Sequence, residues 1–164
     1  MGLLSKVRGK VSVGASDVGG VSTHVRRARI NGAASGETAA VDLSTGQAMV
    51  VPAGAIIDDC FIVVSTAAGD TIEVGGNAAS GAGDDPDGLL DAVSIAATGT
   101  VRGSLAAATP TRGAMLRANG YSAASPVYSP QAHVCDVACP ITYTNSTTGG
   151  AALKADLVVV YRTA

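Results

Sequence analysis

The stretch Cys60-Phe61-Ile62-Val63-Val64-Ser65-Thr66, followed by Ala67-Ala68-Gly69-Asp70 and Thr71-Ile72-Glu73-Val74, decides the fold class. The first segment is an apolar run rich in β-branched residues and too short for a core helix, so it predicts a buried strand. In the second, Ile72 and Val74 alternate with polar neighbours, the pattern of a half-buried strand. With a turn-forming segment between them, residues 60–74 read as a hairpin. Gln47–Val51 reads as an earlier strand, halted by Pro52-Ala53-Gly54 because proline cannot donate to a ladder. Towards the C-terminus, Ile141 and Tyr143 alternate with Thr142 and Thr144. Leu153, Ala155, Leu157, Val159 and Tyr161 then share one face. Lys154, Asp156, Val158 and Val160 share the other, and its apolar end predicts cover on both sides. This pair reads as a second hairpin. Weaker strands fit Lys10–Val13, Val25–Ile30 and Thr38–Leu43. Residues 75–88 and 103–135 read as long loops, and Leu89–Val93 as the start of a helical turn. The expectation is an all-β protein: an antiparallel β-sandwich or jelly-roll-like barrel with an extended N-terminal arm.

Composition narrows the function classes. The 164 residues are 47% hydrophobic but only 3% aromatic and 15% charged, with 21 glycines. Such a chain is neither a disordered acidic tail, a coiled coil nor a disulfide-dense scaffold, and it argues against a typical pocket enzyme. Much of the apolar content is alanine, which buries little area, and glycine loses the most backbone freedom on folding. A modest core helped by contacts with other subunits is therefore expected. The longest bulky runs, 61–64 and 157–160, fall far short of the ~20 residues of a membrane-spanning helix. Lys6, Arg8 and Lys10 interrupt any signal-peptide core. No membrane partner is expected.

The net charge of −2 hides an asymmetry. Residues 1–30 carry +5, the remainder −7, and no lysine or arginine occurs between Ile30 and Val101. This predicts a basic arm over residues 1–35 and a β-rich body over 36–164. Lys6, Arg8, Lys10, Arg26, Arg27 and Arg29 are the expected contact residues towards an acidic protein surface, on a partner or a neighbouring copy. The plainer alternative is a strand edge whose cations discourage edge pairing. Nucleic acid is not expected as a partner. No aromatic residue lies in the first 60 positions to stack on bases, and no nucleic-acid-binding motif occurs.

Candidate chemistry is thin, and no catalytic residue, metal or cofactor is assigned. His24 and His133 are the two histidines, and no G-x-S-x-G elbow accompanies them. Asp58 and Asp59 would point to opposite sides of a regular strand, which suits acid–base catalysis poorly. His133-x-Cys135-x₃-Cys139 offers one zinc-like cluster where a structural site needs two, leaving Cys60 or His24 to complete it. Cys60 reads more simply as a core residue, and three cysteines fit a reducing compartment. Asp84–Asp91 could offer oxygens to calcium, but Asp85-Pro86-Asp87-Gly88 is equally a good turn.

The order Val51-Pro52-Ala53-Gly54-Ala55-Ile56-Ile57, Cys60–Ser65, Thr71–Gly75 and Asp85-Pro86-Asp87-Gly88-Leu89-Leu90, closed by Ala155–Tyr161, resembles a pattern of tailed-bacteriophage virion proteins. The resemblance covers residues 47–93 and 138–162 and leaves the basic N-terminal third uncovered. It implies a small structural protein, a capsid decoration or cement protein of the kind that is β-rich and often trimeric. The implied partners are the major capsid protein and copies of itself, and the implied place is the capsid surface of a virion assembled in the host cytoplasm. The alternative is a tail- or fibre-type β-sandwich that binds a receptor or carbohydrate, with Tyr121 and Tyr128 as the loop aromatics.

Overall fold

The computed structural model describes residues 20–34, 36–78, 83–105, 110–117, 121–122, 125–126, 132–146 and 152–163. These residues form an all-β sandwich of two antiparallel sheets. The strands are β1 (Ser22–Asn31), β2 (Gly36–Ala39), β3 (Val50–Val51), β4 (Ile56–Thr66), β5 (Thr71–Ala78), β6 (Gly83–Ser94) and β7 (Gly99–Arg102). A 3₁₀ turn, Ala114–Leu116, follows. Then come β8 (Tyr121–Ser122), β9 (Ser125–Pro126), β10 (His133–Val134), β11 (Cys139–Asn145) and β12 (Lys154–Thr163). The first sheet runs β1-β12-β4, and the far edge of β4 is shared by β10 and β7. The second runs β11-β5-β6, and the near edge of β11 is shared by β2 and β3. β8 and β9 pair only with each other.

Both predicted hairpins are corrected. β4 pairs with β12, β7 and β10, whereas β5 pairs with β11 and β6. Residues 67–70 therefore carry the chain from one sheet to the other, and β11 and β12 likewise lie in different sheets. Alternation reveals which side of a strand faces the core, but not which strand lies beside it. An arch between sheets and a hairpin within one sheet bury the same side chains.

The core fills the gap between the sheets. Ala28 and Ile30 of β1, Ile57, Cys60, Ile62 and Val64 of β4, and Ala155, Leu157, Val159 and Tyr161 of β12 face inward from the first sheet. Ile72, Val74, Leu89, Leu90, Val93, Ile141 and Tyr143 meet them from the second. The inward face of β12 is the one its alternation predicts. Its other face is covered as well: Val158 is 1% exposed, with Arg27 and Phe61 directly opposite it on the flanking strands.

The actual hairpin joins β5 to β6, where a long loop and a helical turn were expected. Two register shifts interrupt this ladder, and Ala92 adopts a left-handed φ of 46° beside one of them. At the other, the Asp85-Pro86 backbone crosses so closely over Gly75 that a Cβ there would overlap it. Glycine and aspartate richness, which reads as loop, is here the composition of an irregular strand. Segment 111–113 seals the outer edge of β6. Asp91 N–H donates to Thr111 O at 2.9 Å, Gly113 N–H donates to Leu89 O at 3.0 Å, and Leu90 bridges Arg112.

Residues 22–31, which the charge pattern assigns to the arm, form β1 and pair with β12 along its whole length. The Asn31 amide donates to Tyr143 Oη at 2.9 Å, and Asn145 Nδ2 donates to the Asn31 carbonyl at 3.0 Å, tying β1 to the second sheet. Removing residues 1–30 would thus strip a strand and two core side chains from the sandwich. The predicted Lys10–Val13 strand lies outside the described residues.

Candidate interaction surface

β1 alternates cleanly. His24, Arg26, Ala28 and Ile30 turn towards the core side, and Thr23, Val25, Arg27 and Arg29 turn outward. The segment 41–43 adds a short extension beside β1: Ala28 bridges Asp42, and Leu43 N–H donates to Arg27 O at 2.8 Å. Six large apolar side chains are exposed among the described residues. Four of them, Val21, Val25 (60% exposed), Val41 (47%) and Leu43 (52%), lie on this one edge. They make a ledge of aliphatic side chains around Arg27 and Arg29. Contiguous exposed apolar surface rimmed by charge is the usual composition of a protein contact face.

Of the predicted contact residues, the structure brings together Arg26, Arg27 and Arg29. Lys6, Arg8 and Lys10 lie outside the described residues. The three arginines do different things. Arg26 Nη1 donates to Asp42 Oδ2 at 2.9 Å and to Ser44 Oγ at 3.3 Å, and its Nε lies 3.4 Å from Tyr161 Oη. It holds the 41–44 segment in place. Burial opposes ionisation of Asp42, but the hydroxyl and amide of Ser44 and the Arg26 guanidinium outweigh it and hold the carboxyl below its usual range. Arg29 Nε sits 2.6 Å from Asp156 Oδ1, opposite it on β12. Arg27 is exposed and has no ion pair among the described residues.

The rest of the outer face of the first sheet is braced by ion pairs. β4 carries a bulge at Asp58, where Val160 opposes Asp59 but Tyr161 opposes Ile57. The extra residue turns Asp58 and Asp59 to the same side, between buried Ile57 and Cys60. This corrects the expectation that they diverge. Asp58 accepts a two-pronged contact from Arg162, with both N–O distances 2.7 Å. Asp59 takes Arg102 at 3.1 Å and Arg112 at 3.6 Å. Arg102 also stacks over Phe61, 4.3 Å from the ring centroid. The two aspartates are therefore structural clamps between strands.

The opposite face of the sandwich is acidic. Glu73 of β5 points outward between buried Ile72 and Val74, with Asp87 and Asp91 of β6 near enough to raise its pKa together with partial burial. Asp85 is pushed up to about 6 by burial and by its hydrogen bond with Asp87 and the charge of that neighbour, and Arg117 offsets part of this. Folded-state Asp85 thus binds its proton more tightly than the unfolded chain does. Ionising it opposes folding, so its share of stability is fully present below pH about 4 and falls away as pH rises through about 6. Asp85→Asn is expected to flatten that part of the stability-versus-pH curve, measured by urea unfolding between pH 4 and 7. An unchanged slope would contradict the crowding of Asp85 and Asp87.

The remaining candidates serve the fold. His24 stacks on Tyr161 with centroids 4.9 Å apart, and its Nε2 lies 3.0 Å from Thr163 Oγ1. His133 is half-buried at the sheet edge, which lowers its pKa, while Asp136 pulls the other way. Cys60, Cys135 and Cys139 are all buried free thiols. Burial pushes the Cys60 thiol up, with Asp59 adding to it. Cys135 is hydrogen-bonded with Cys139, and that bond with burial raises its pKa, the wrong direction for a nucleophile. No group of three metal-binding side chains converges among the described residues, which include Asp85, Asp87 and Asp91 but not the side chain of Asp84. Tyr121 lies on β8 with its side chain outside the described residues, as is all of Tyr128. Sequence reasoning missed Val21, Val41 and Leu43 as ledge residues. Their signal was visible only as isolated aliphatics in polar surroundings.

No family model matches the chain. No curated protein matches it in sequence. Among solved structures, the acidic stable capsid structure of Helicobacter pylori bacteriophage KHP30 aligns with 86% of this chain and 87% of that chain, at a TM-score of 0.45 and 11% identity.

Proposed function

We propose that this chain is a structural virion protein that binds the outside of a tailed-phage capsid and stabilises it as a cement protein, without catalysing a reaction. The observation that carries this reading is a surface suited to protein contact, the ledge on β1 and segment 41–43, as a structural protein repeated over a shell requires. The ledge offers exposed aliphatic side chains and an arginine without an ion pair among the described residues, on the strand that carries Arg26, Arg27 and Arg29. The sequence resemblance over residues 47–93 and 138–162 supports it, and so does the use of histidines, thiols and paired aspartates as packing and bracing groups. The partners are the major capsid protein and further copies of this chain, a trimer being the favoured assembly. Binding to the assembled shell stabilises it by mass action, by RT ln(1 + [L]/Kd). Many weak contacts repeated over a symmetric shell add through avidity.

The test is co-sedimentation of the full chain with capsids lacking it, over a salt series. Docking through Lys6, Arg8 and Lys10 is expected to weaken as ionic strength rises. The triple substitution Lys6→Ala, Arg8→Ala, Lys10→Ala is expected to lower bound protein about tenfold or more at low salt. Undiminished binding of that variant, or binding indifferent to salt, would remove the electrostatic basis of the reading. A glycan-array signal without shell binding would favour the receptor-binding alternative.

A further inference from the structure

The ledge lies on the outward side of the first sheet at its β1 edge, whereas Glu73, Asp87 and Asp91 lie on the outward side of the second sheet at β5 and β6. The two sheets pack through one core, so these surfaces face away from each other and cannot meet within one molecule. Their charges are complementary. Arg27 has no ion pair among the described residues, and neither do Glu73, Asp87 and Asp91. Of the other arginines of the first sheet, Arg29 is engaged with Asp156, Arg102 with Asp59 and Arg162 with Asp58, while Lys154, at the far end of β12 opposite Asn31, has no ion pair among the described residues and lies outside the ledge. The ledge thus presents a cation, unpaired among the described residues and set in aliphatic surface, on one side, and a crowd of like-charged carboxylates lies on the other. A cation brought to that crowd relieves its repulsion, and burying the valines and leucine beside it adds apolar area.

We propose that the ledge around Val25, Leu43 and Arg27 of one copy docks head-to-tail on the Glu73–Asp87–Asp91 face of a second copy. The contact is heterologous, so the rotation between successive copies decides whether the assembly closes into a ring. This deepens the structural role proposed above and rests on it for its biological setting. It gives the ledge to a neighbouring copy and leaves attachment to the shell to Lys6, Arg8 and Lys10.

The experiment needs no capsid: the mass of the full chain by light scattering and sedimentation, across concentration and salt. The wild-type chain is expected to self-associate, more weakly as salt rises. Arg27→Glu and Asp87→Lys, each alone, are expected to weaken association about tenfold or more. The double variant Arg27→Glu/Asp87→Lys is expected to recover it to within about threefold, because every contact between copies then joins a reversed ledge to a reversed face, whatever the number of copies in the ring. Val25→Asp is expected to weaken association without rescue by Asp87→Lys. The variants at exposed Val25 and Arg27 are expected to unfold at the wild-type temperature, and circular dichroism checks that the variants at half-buried Asp87, which is hydrogen-bonded with Asp85, keep the folded state. A wild-type chain that stays monomeric to about millimolar concentration would overturn the proposal, as would association that ignores both reversals. Arg27→Glu that spares self-association but abolishes shell binding would overturn it too, handing the ledge to the capsid protein and leaving the cement role standing.

Discussion

Gly75→Ala is expected to lower unfolding free energy by about 3 kcal/mol or more, at or above the top of the usual overpacking range. The added methyl would have to occupy the space of the Asp85 carbonyl and the Pro86 backbone where β6 crosses β5. A flexible side chain could rotate away, but two backbones held by ladders on both sides cannot. β6 is fixed by β5 on one edge and by Thr111–Gly113 on the other, so relief means breaking one of them. Urea unfolding measures the loss, and amide hydrogen exchange in β5 and β6 locates it. If the variant matched the wild type in stability, the close crossing at Gly75 would be wrong, and with it the assignment of 83–94 as a strand. Gly113, whose Cβ would overlap Asp87 and Gly88, gives a second site for the same test.

Leu157→Ala is expected to cost about 2–5 kcal/mol, with the thermal midpoint falling by about 2–4 °C per kcal/mol for a chain of this size. Leu157 is fully buried at the middle of β12, between Ala28 of β1 and Ile62 of β4 in the cross-strand direction. Its neighbours are small or β-branched, so they cannot collapse far into the vacated space. A core lean in aromatics depends more heavily on each of its few large aliphatics. Val158→Ala, on the outer face, removes fewer carbons from a site bounded by Arg27 and Phe61, and the smaller loss there gives the comparison. A drop of less than about 1 kcal/mol at Leu157 would contradict the packing of the two sheets through it.

Strand identity and strand faces were legible in the sequence at β4, β5, β11 and β12, because alternation is a local property with a period of two. The inward set Leu157, Val159 and Tyr161 and the double cover of Val158 both follow from it. The β6 strand was not legible. Glycine, aspartate and proline are read as turn formers, and here tertiary contact overrides that preference: glycine at 75 and 113 admits backbones too close for a Cβ, and glycine at 88 admits the side chains of Met115 and Asp85. Nor was the convergence of Asp58 and Asp59 read, since the break in alternation between Ile57 and Cys60 shows as a bulge only once the partner strand is known. The basic cluster of β1 was visible as charge, but charge alone did not separate Arg26, which braces Asp42, from Arg27, which faces solvent.

The sequence by itself determined that the chain is all-β, which residues of its clearest strands turn inward, and that its cations and anions are segregated along the chain. These are consequences of residue type and of neighbours one or two positions away. Only the tertiary structure decided that the strands of each apparent hairpin lie in different sheets, that residues 22–31 pair with β12, and that Val25, Val41 and Leu43 gather around Arg27. Lateral pairing joins residues more than a hundred positions apart, as Arg27 is joined to Val158, and no local pattern specifies such a partner.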